Sequence, residues 1–304
     1  MITKFENNGQ LWIDVELPTQ QEIDTLAKTY SLSPEVSADL LSPNISNKIE
    51  LYSDYIHIVL HFPTFSRSRS EADSREIDFI VGKDYLISVR YQGIDAMVGF
   101  SKNFEASAIL GRNSMGDNAG QIFFALITSM YKSLMNELEF IQDRLNHIQD
   151  RIFTGEEKRV VRDISELGRE LINFRQVMHS HEDILSLFRR AAVSLYGEDY
   201  DYYADAIEKE YQKIYGEVHN KKEFLTELRE TNDSLLDTKQ NEIMKNLTVV
   251  SFFTFPLSLL VGIFTLAHDY GLGIGTRYDF WIVMGILVGT LLLMLAYFNY
   301  KKWL

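Results

Sequence analysis

The spacing of hydrophobic and polar residues changes character twice along this chain of 304 residues. In the first part, short apolar runs rich in β-branched and aromatic residues predict strands at 12–17, 55–62 and 78–91. Residues 20–30 predict a helix that begins after a cap at Thr19, and Gly82-Lys83-Asp84 predicts a tight hairpin. We therefore expect a cytosolic α/β domain that spans residues 1–115.

From residue 116 onwards, apolar residues recur at alternating spacings of three and four, which is typical of long amphipathic helices. The first helix, which ends near Gly155, carries Ile127, Tyr131, Leu134, Leu138, Ile141, Leu145, Ile148 and Ile152. The second carries Ile164, Leu167, Leu171, Phe174, Met178, Leu185 and Phe188. The third begins near Tyr202 and carries Ile207, Tyr211, Ile214, Val218, Leu225, Leu228 and Leu235. These stripes predict a long helical hairpin followed by a stalk helix, over residues 116–246.

Two uncharged apolar runs, Leu247 to Ala267 and Phe280 to Phe298, lie in the last part of the chain, 247–304. Each run has about the 20 residues that a helix needs to cross the hydrocarbon core of a bilayer. They predict two transmembrane helices joined by a short external loop. The fold class expected from the whole pattern is an α+β membrane protein, in which an α/β cytosolic domain precedes the hairpin, the stalk and two C-terminal transmembrane helices.

Lysines that flank the two apolar runs predict the orientation of the protein in the membrane. The loop between the runs holds only Arg277 as a basic residue, against Asp269 and Asp279. The outer flanks carry the lysines, namely Lys239, Lys245, Lys301 and Lys302. Because positive residues stay on the cytoplasmic side, we expect a multi-pass protein of the cell membrane with both termini in the cytoplasm. The acidic and polar start of the chain, 1–19, does not resemble a secretory signal.

Composition narrows the classes of function. The chain has 43 acidic and 30 basic residues, a formal net charge of −13, which disfavours nucleic acid as a partner and favours cations. It has no cysteine, and so no disulfide, thiolate metal site or thiol nucleophile. The sequence also lacks a phosphate-binding glycine loop, a Gly-x-Ser-x-Gly elbow and a His-Glu-x-x-His helix. We therefore expect neither an enzyme nor an organic cofactor.

The first apolar run carries a seam of small and polar residues at helical spacing. Its members are Asn241, Met244, Thr248, Ser251, Phe255, Ser258 and Gly262. One interpretation is close helix packing, which small residues and hydroxyl groups favour in membranes. The other is the wall of a water-filled pore. Two transmembrane helices cannot enclose an ion pathway alone, so a pore requires an oligomer of this chain. Membrane lipid is the other expected partner.

Several short motifs point to a known family: Asn241-Glu242-Ile243-Met244-Lys245, Leu247-Thr248, Phe255-Pro256-Leu257-Ser258, Gly262-Ile263-Phe264 and Tyr300-Lys301-Lys302-Trp303-Leu304. With these motifs and its architecture, the chain resembles the CorA-type two-span magnesium channels. The resemblance implies a homopentamer around the first span that conducts divalent cations, magnesium or cobalt. It also implies that Asn241 rings the cytosolic mouth and that Met244, Leu247 and Phe255 form apolar constrictions. The wider parts of the pore are then lined by Thr248, Ser251, Ser258 and Gly262.

The chain departs from this family at the outer mouth. The family signature Gly-Met-Asn is expected after Gly262-Ile263-Phe264, where this chain has Thr265-Leu266-Ala267. The signature asparagine offers a carbonyl oxygen to the hydrated ion, and Ala267 has none to offer. Two hypotheses follow: a divalent cation channel, with Mg²⁺ as transported ion, and a non-conducting membrane sensor or partner subunit on the same scaffold. The sequence does not rank Mg²⁺, Co²⁺, Ni²⁺ and Zn²⁺.

Outside the membrane segment, three features contain residue types that can bind metals. The acidic stretch from Glu198 to Asp205 is typical of a solvated helix start. The resemblance implies instead that Asp205 is a ligand of a regulatory Mg²⁺. The histidine pairs His57 with His61 and His179 with His181 are expected at surface or boundary positions and not as metal ligands.

Overall fold

The computed structural model describes residues 1–7, 9–64, 74–110, 116–269 and 279–301, with their side chains except at 267–269 and 279. The chain forms two compact units, Met1–Glu230 and Thr231–Leu304. The division into parts 1–115, 116–246 and 247–304 stays a prediction.

A six-stranded mixed sheet organises the first unit, with strand order β1-β2-β6-β5-β4-β3. Its strands are β1 (Ile2–Asn7), β2 (Gln10–Glu16), β3 (Lys48–Leu51), β4 (Tyr55–Pro63), β5 (Ser74–Gly82) and β6 (Tyr85–Arg90). Only the β2–β6 pair is parallel among the pairings of the described residues. Three predictions are confirmed: strands at 12–17, 55–62 and 78–91, the hairpin between β5 and β6, and an α/β organisation.

The helices are α1 (Gln20–Tyr30), α2 (Pro34–Asp39), α3 (Asp95–Ile109), α4 (Ala119–Phe153), α5 (Glu157–Tyr196), α6 (Asp201–Asp269) and α7 (Asp279–Tyr300). The predicted cap at Thr19 is confirmed, because its side chain accepts from the Glu22 amide while the Glu22 carboxylate accepts from the Thr19 amide. Gly155, at φ 95°, follows the end of α4 and adopts the left-handed conformation that glycine tolerates best.

Each face of the sheet packs against different helices. On one face, α1 and α2 cover a core that includes Ile13, Val15, Ile23, Leu26, Val36, Ile80, Ile87 and Val89. On the other face, the ring of Phe79 on β5 lies 5.3 Å from that of Phe123 on α4, which lies 4.7 Å from that of Phe188 on α5. Buried residues run almost without a break along β4, β5 and β6, and because successive side chains point to opposite faces, both faces of these strands are buried.

The apolar stripes of the long helices are buried as the pattern predicts. Every member of the α4 and α5 stripes is buried, as are the α6 members from Ile207 to Leu228, whereas Leu235 is half-buried. Polar contacts cross between the helices at their margins. Arg144 on α4 pairs with Glu170 on α5 at 3.1 Å, and Lys221 on α6 donates to Gln142 on α4 at 3.1 Å. Burial of apolar stripes provides most of the stability of such helices.

The predicted surface or boundary position is wrong for His57 and His181, which are both 0% exposed. His181 on α5 donates from Nε2 to the His61 carbonyl oxygen at 2.8 Å and accepts at Nδ1 from the Tyr131 hydroxyl at 3.0 Å. Burial lowers its pKa to about 4. The error arises because α5 packs against β4, a contact between segments 120 residues apart that a local pattern does not reveal. His61 is half-buried and His179 exposed, as expected.

Candidate functional site: the apolar helices of the second unit

Within the residues that the structure describes, two helices are long and apolar enough to cross a membrane by length and composition. They are the C-terminal part of α6 and the segment Phe280–Tyr300 of α7. The helix α6 continues through Pro256. Because proline lacks an amide hydrogen, the carbonyl group one turn earlier, at Phe252, loses its usual helical donor at this point.

Within the second unit, α7 packs against one side of α6. Phe298 of α7 is 3% exposed, and its ring centroid lies 5.7 Å from that of Phe252 and 5.3 Å from that of Phe253. Val249 and Leu260, on the same side of α6 as Phe253, are half-buried. Farther along, an apolar groove is lined by Leu257, Ser258 and Val261 together with Leu287, Val288 and Leu291 of α7. This side of α6 is therefore its packing side.

The predicted pore-lining residues lie on the opposite side of α6. Met244 is 54% exposed, Leu247 58% and Phe255 74%, so α7 does not cover them. Asn241, Thr248, Ser258 and Gly262 are also exposed, and Ser251 is half-buried. Ser258 lies at the edge of the seam, since it also borders the groove toward α7. The structure thus brings the seam residues onto one face of one helix that α7 leaves accessible.

Threonine hydroxyl groups on this face are already committed as donors. Thr248 donates to the Met244 carbonyl oxygen at 2.8 Å, and Thr265 donates to the Val261 carbonyl oxygen at 2.8 Å. A hydroxyl group has one hydrogen to donate and two lone pairs. The outward lone pairs of Thr248 and Thr265 are therefore acceptors, which suit a cation or the water molecules that hydrate it.

At the altered signature, Thr265 and Leu266 are exposed residues of α6. The side chain of Ala267 lies outside the described residues, as does the loop at 270–278. Among the described positions of this segment, Thr265 is the one whose side chain offers an oxygen atom.

The carboxylate of Asp205, near the start of α6, is engaged by two cationic side chains. It pairs with Lys209 at 2.6 Å and with Arg189 of α5 at 3.7 Å. Arg189 also pairs with Asp201 at 2.6 Å and with Glu208 at 3.1 Å. The hydrogen bond from Arg189 lowers the pKa of Asp201. A metal ion at Asp205 therefore competes with two protein cations.

One group of side chains in the first unit that could hold a metal ion is not apparent from the sequence. Asp39, Glu50 and His57 each offer a ligand atom, and these three atoms lie within 4.8 Å of one another. No spacing rule reveals the group, because Asp39 ends α2 while Glu50 and His57 lie on the paired strands β3 and β4. The pairing of those strands places Glu50 directly opposite His57.

The chain is similar to transport proteins along almost its whole length. It is 22% identical to the cobalt/magnesium transport protein CorA of Thermotoga maritima, over 98% of this chain and 85% of that protein. It is 22% identical to the cobalt/magnesium transport protein CorA of Methanocaldococcus jannaschii, over 99% and 93%. The solved structure of the CorA magnesium transporter from M. jannaschii matches its fold with a TM-score of 0.81 at 19% identity, over 99% and 94%.

These similarities confirm the predicted fold class: a mixed-sheet domain, long helices and two C-terminal apolar helices. They also confirm the family that the motifs around Asn241 and Gly262 indicated, although the signature after Phe264 is altered. The family model described as CorA-like Mg²⁺ transporter protein matches residues 7–302, and the chain therefore belongs to the CorA-like Mg²⁺ transporter family.

Proposed function

We propose that this chain forms a homopentamer that conducts divalent cations, Mg²⁺ first among them, through a pore lined by α6. The observation that carries the proposal is the exposure of the seam in a helix whose other side packs against α7. Hydroxyl groups within the span keep lone pairs that lipid does not satisfy, so their exposure favours a water-filled axis shared by several copies. The two relatives compared above, both named cobalt/magnesium transport proteins, support the same class of cargo.

In this arrangement, the seam supplies rings of different chemistry along the axis. Asn241 offers its carbonyl oxygen at the cytosolic mouth, and Met244, Leu247 and Phe255 provide apolar constrictions. Hydroxyl oxygens of Thr248, Ser251 and Ser258 accept from the hydration shell of the ion, and Gly262 widens the path. Mg²⁺ releases its water reluctantly, so contacts through an intact shell suit it better than direct ligation.

At the outer mouth of the proposed pore, the nearest side-chain oxygen is that of Thr265. Relatives of the CorA type have instead a signature asparagine at the position of Ala267. A ring of hydroxyl oxygens at Thr265 reaches less far into the axis than a ring of carboxamide oxygens, because the threonine side chain is shorter. We therefore expect weaker selection of Mg²⁺ over other ions. Leu266 and Ala267 contribute no side-chain oxygen at all. The replacement of Gly-Met-Asn by Thr265-Leu266-Ala267 also favours the second candidate function, a non-conducting sensor or partner subunit on the same scaffold.

Orientation and regulation are part of the proposal. Both termini lie in the cytoplasm of the cell, which is consistent with Lys239, Lys245 and Lys301 outside the two apolar segments. Asp205 is retained as a candidate ligand of a regulatory Mg²⁺, which has to displace Lys209 or Arg189 from its carboxylate. The proposed partners are lipid, divalent cations and further copies of this chain. The proposal includes no enzymatic step, no organic cofactor and no nucleic acid.

Reconstituted liposomes that contain a Mg²⁺-sensitive dye test the proposal. The parent protein should admit Mg²⁺, and Ser251→Phe should block entry by filling the axis. Val250→Phe adds the same ring beside the seam and should leave entry intact. A mass measurement on the detergent-solubilised protein should give five chains. A folded pentamer without influx supports the sensor hypothesis, and a monomer or dimer under mild conditions overturns the assembly.

A further inference from the structure

Three side chains from three elements of the first unit converge on the sheet face that α1 and α2 cover. His57 Nδ1 lies 3.3 Å from Glu50 Oε2, and both residues offer ligand atoms within 4.8 Å of that of Asp39. The Glu50 carboxylate is held in place by the Tyr52 hydroxyl, which donates to Oε2 at 3.2 Å. The Asp39 backbone carbonyl accepts from the Tyr91 hydroxyl at 3.2 Å. Such outer contacts orient ligands in metal sites.

A positive charge already lies between the two carboxylates. The Lys48 ammonium group pairs with Asp39, and with Glu50 Oε1 at 3.3 Å. The Lys48 side chain is 27% exposed, and its flexible stem allows the ammonium group to withdraw into water. The carboxylate oxygens of Asp39 and Glu50 therefore form a cation-binding position, and the displaceable ammonium group of Lys48 occupies it.

His57 adds a ring nitrogen to the two carboxylates, and its Nδ1 atom faces Glu50 Oε2. The residue is 0% exposed, and its Nε2 atom has no hydrogen-bond partner within the part of the chain that the structure describes. Metals bind histidine through the lone pair that a neutral imidazole keeps on one ring nitrogen. A neutral imidazole with two carboxylates suits transition metals such as Co²⁺ and Zn²⁺ better than Mg²⁺, which prefers oxygen alone.

We propose that Asp39, Glu50 and His57 form an intrachain site for a divalent transition metal, in exchange with the ammonium group of Lys48. The site lies within the first unit and takes all its protein ligands from one chain. It is independent of the proposed pore, because none of its ligands belongs to α6.

The full-length protein in detergent, purified without a histidine tag, tests this site. Titration with Co²⁺ should shift and intensify the visible d–d absorption relative to that of hydrated Co²⁺, which reports direct coordination of the metal. His57→Gln should weaken Co²⁺ binding by about 100-fold or more, since loss of a ligand exceeds the typical effect of an outer contact. Lys48→Met removes the competing cation and should tighten binding by roughly 10-fold. Excess Mg²⁺ should not displace the Co²⁺.

The matched control is His219→Gln, which removes an exposed histidine that pairs with Glu223 on α6. It should leave the spectrum unchanged, whereas a loss there assigns the signal to the surface pair and overturns the proposal. Glu50→Gln replaces His57→Gln if that variant does not fold. Absorption that is insensitive to both substitutions, or that stays like that of hydrated Co²⁺ in the parent and in Lys48→Met, also overturns it. A protein that fails to transport Mg²⁺ but shows the predicted spectrum refutes the pore proposal alone.

Discussion

Because His181 is buried, we expect the free energy of unfolding to depend on pH by an amount that follows from its pKa shift. In the unfolded chain, this histidine has an ordinary pKa of 6.5, and in the folded chain burial lowers the pKa to about 4. Between these values the unfolded state binds more protons than the folded state. Its contribution to stability is therefore complete above pH 6.5 and is lost as the pH falls toward 4. Linkage gives a loss of about 2 kcal/mol between pH 7 and pH 5.

His181→Gln removes this titration and should reduce the stability difference between pH 7 and pH 5 by about 2 kcal/mol. The assay is urea unfolding of the full-length protein in detergent, followed by near-ultraviolet circular dichroism at both pH values. Absolute stability also changes, because a carboxamide replaces the imidazole between the Tyr131 hydroxyl and the His61 carbonyl oxygen, and this change does not depend on pH. The difference between the two pH values is therefore the quantity to compare.

Tyr131→Phe is the matched control for this experiment. It removes the hydroxyl that donates to His181 Nδ1 but keeps the imidazole buried, so the pH dependence should persist. Other groups shift in both directions: burial lowers the pKa of His57 and raises that of Asp78. Their contributions cancel when variant and parent are compared. If His181→Gln keeps the full difference between pH 7 and pH 5, His181 is not the buried titrating group and the argument is refuted.

Three further predictions concern the pore and the core. The chain has no cysteine, so single cysteines can be introduced as labels. Thr248→Cys or Ser258→Cys should react with small water-soluble thiol reagents, whereas Leu260→Cys should stay protected by α7 and lipid. Equal labelling of both sets would contradict the assignment of the seam to the pore wall. Replacing Thr265-Leu266-Ala267 with Gly-Met-Asn should raise Mg²⁺ influx or its selectivity over monovalent ions in the dye assay, and no change would show that these positions do not select the ion. Leu171→Ala, at a fully buried position of α5, should lower the free energy of unfolding by about 2–5 kcal/mol, measured by urea unfolding. The same substitution at its exposed neighbour, Ile172→Ala, should change the free energy of unfolding by less than about 0.5 kcal/mol. Similar losses for both variants would contradict the packing of α5.

Local pattern predicted most of the elements because their signals are contained in short stretches of chain. The capping box at Thr19 and Glu22 lies within four residues, and the turn at Gly82-Lys83-Asp84 joins adjacent strands. The stripes of α4 and α5 repeat the same spacing over about seven turns of helix each, so their period is unambiguous. For the same reason, the seam from Asn241 to Gly262 was recognisable on one helix before any contact was known.

Contacts between distant segments decided the rest. The burial of His181 depends on β4 lying against α5, and the grouping of Asp39, Glu50 and His57 depends on the pairing of β3 with β4 beneath the end of α2. Neither follows from the period of a helix or a strand, because a period specifies which face a residue occupies and not what covers that face. The sequence alone therefore determined the elements with a clear local period, the two apolar helices and the family motifs. Only the tertiary structure decided which polar residues are buried, which are paired, and which side of α6 faces α7.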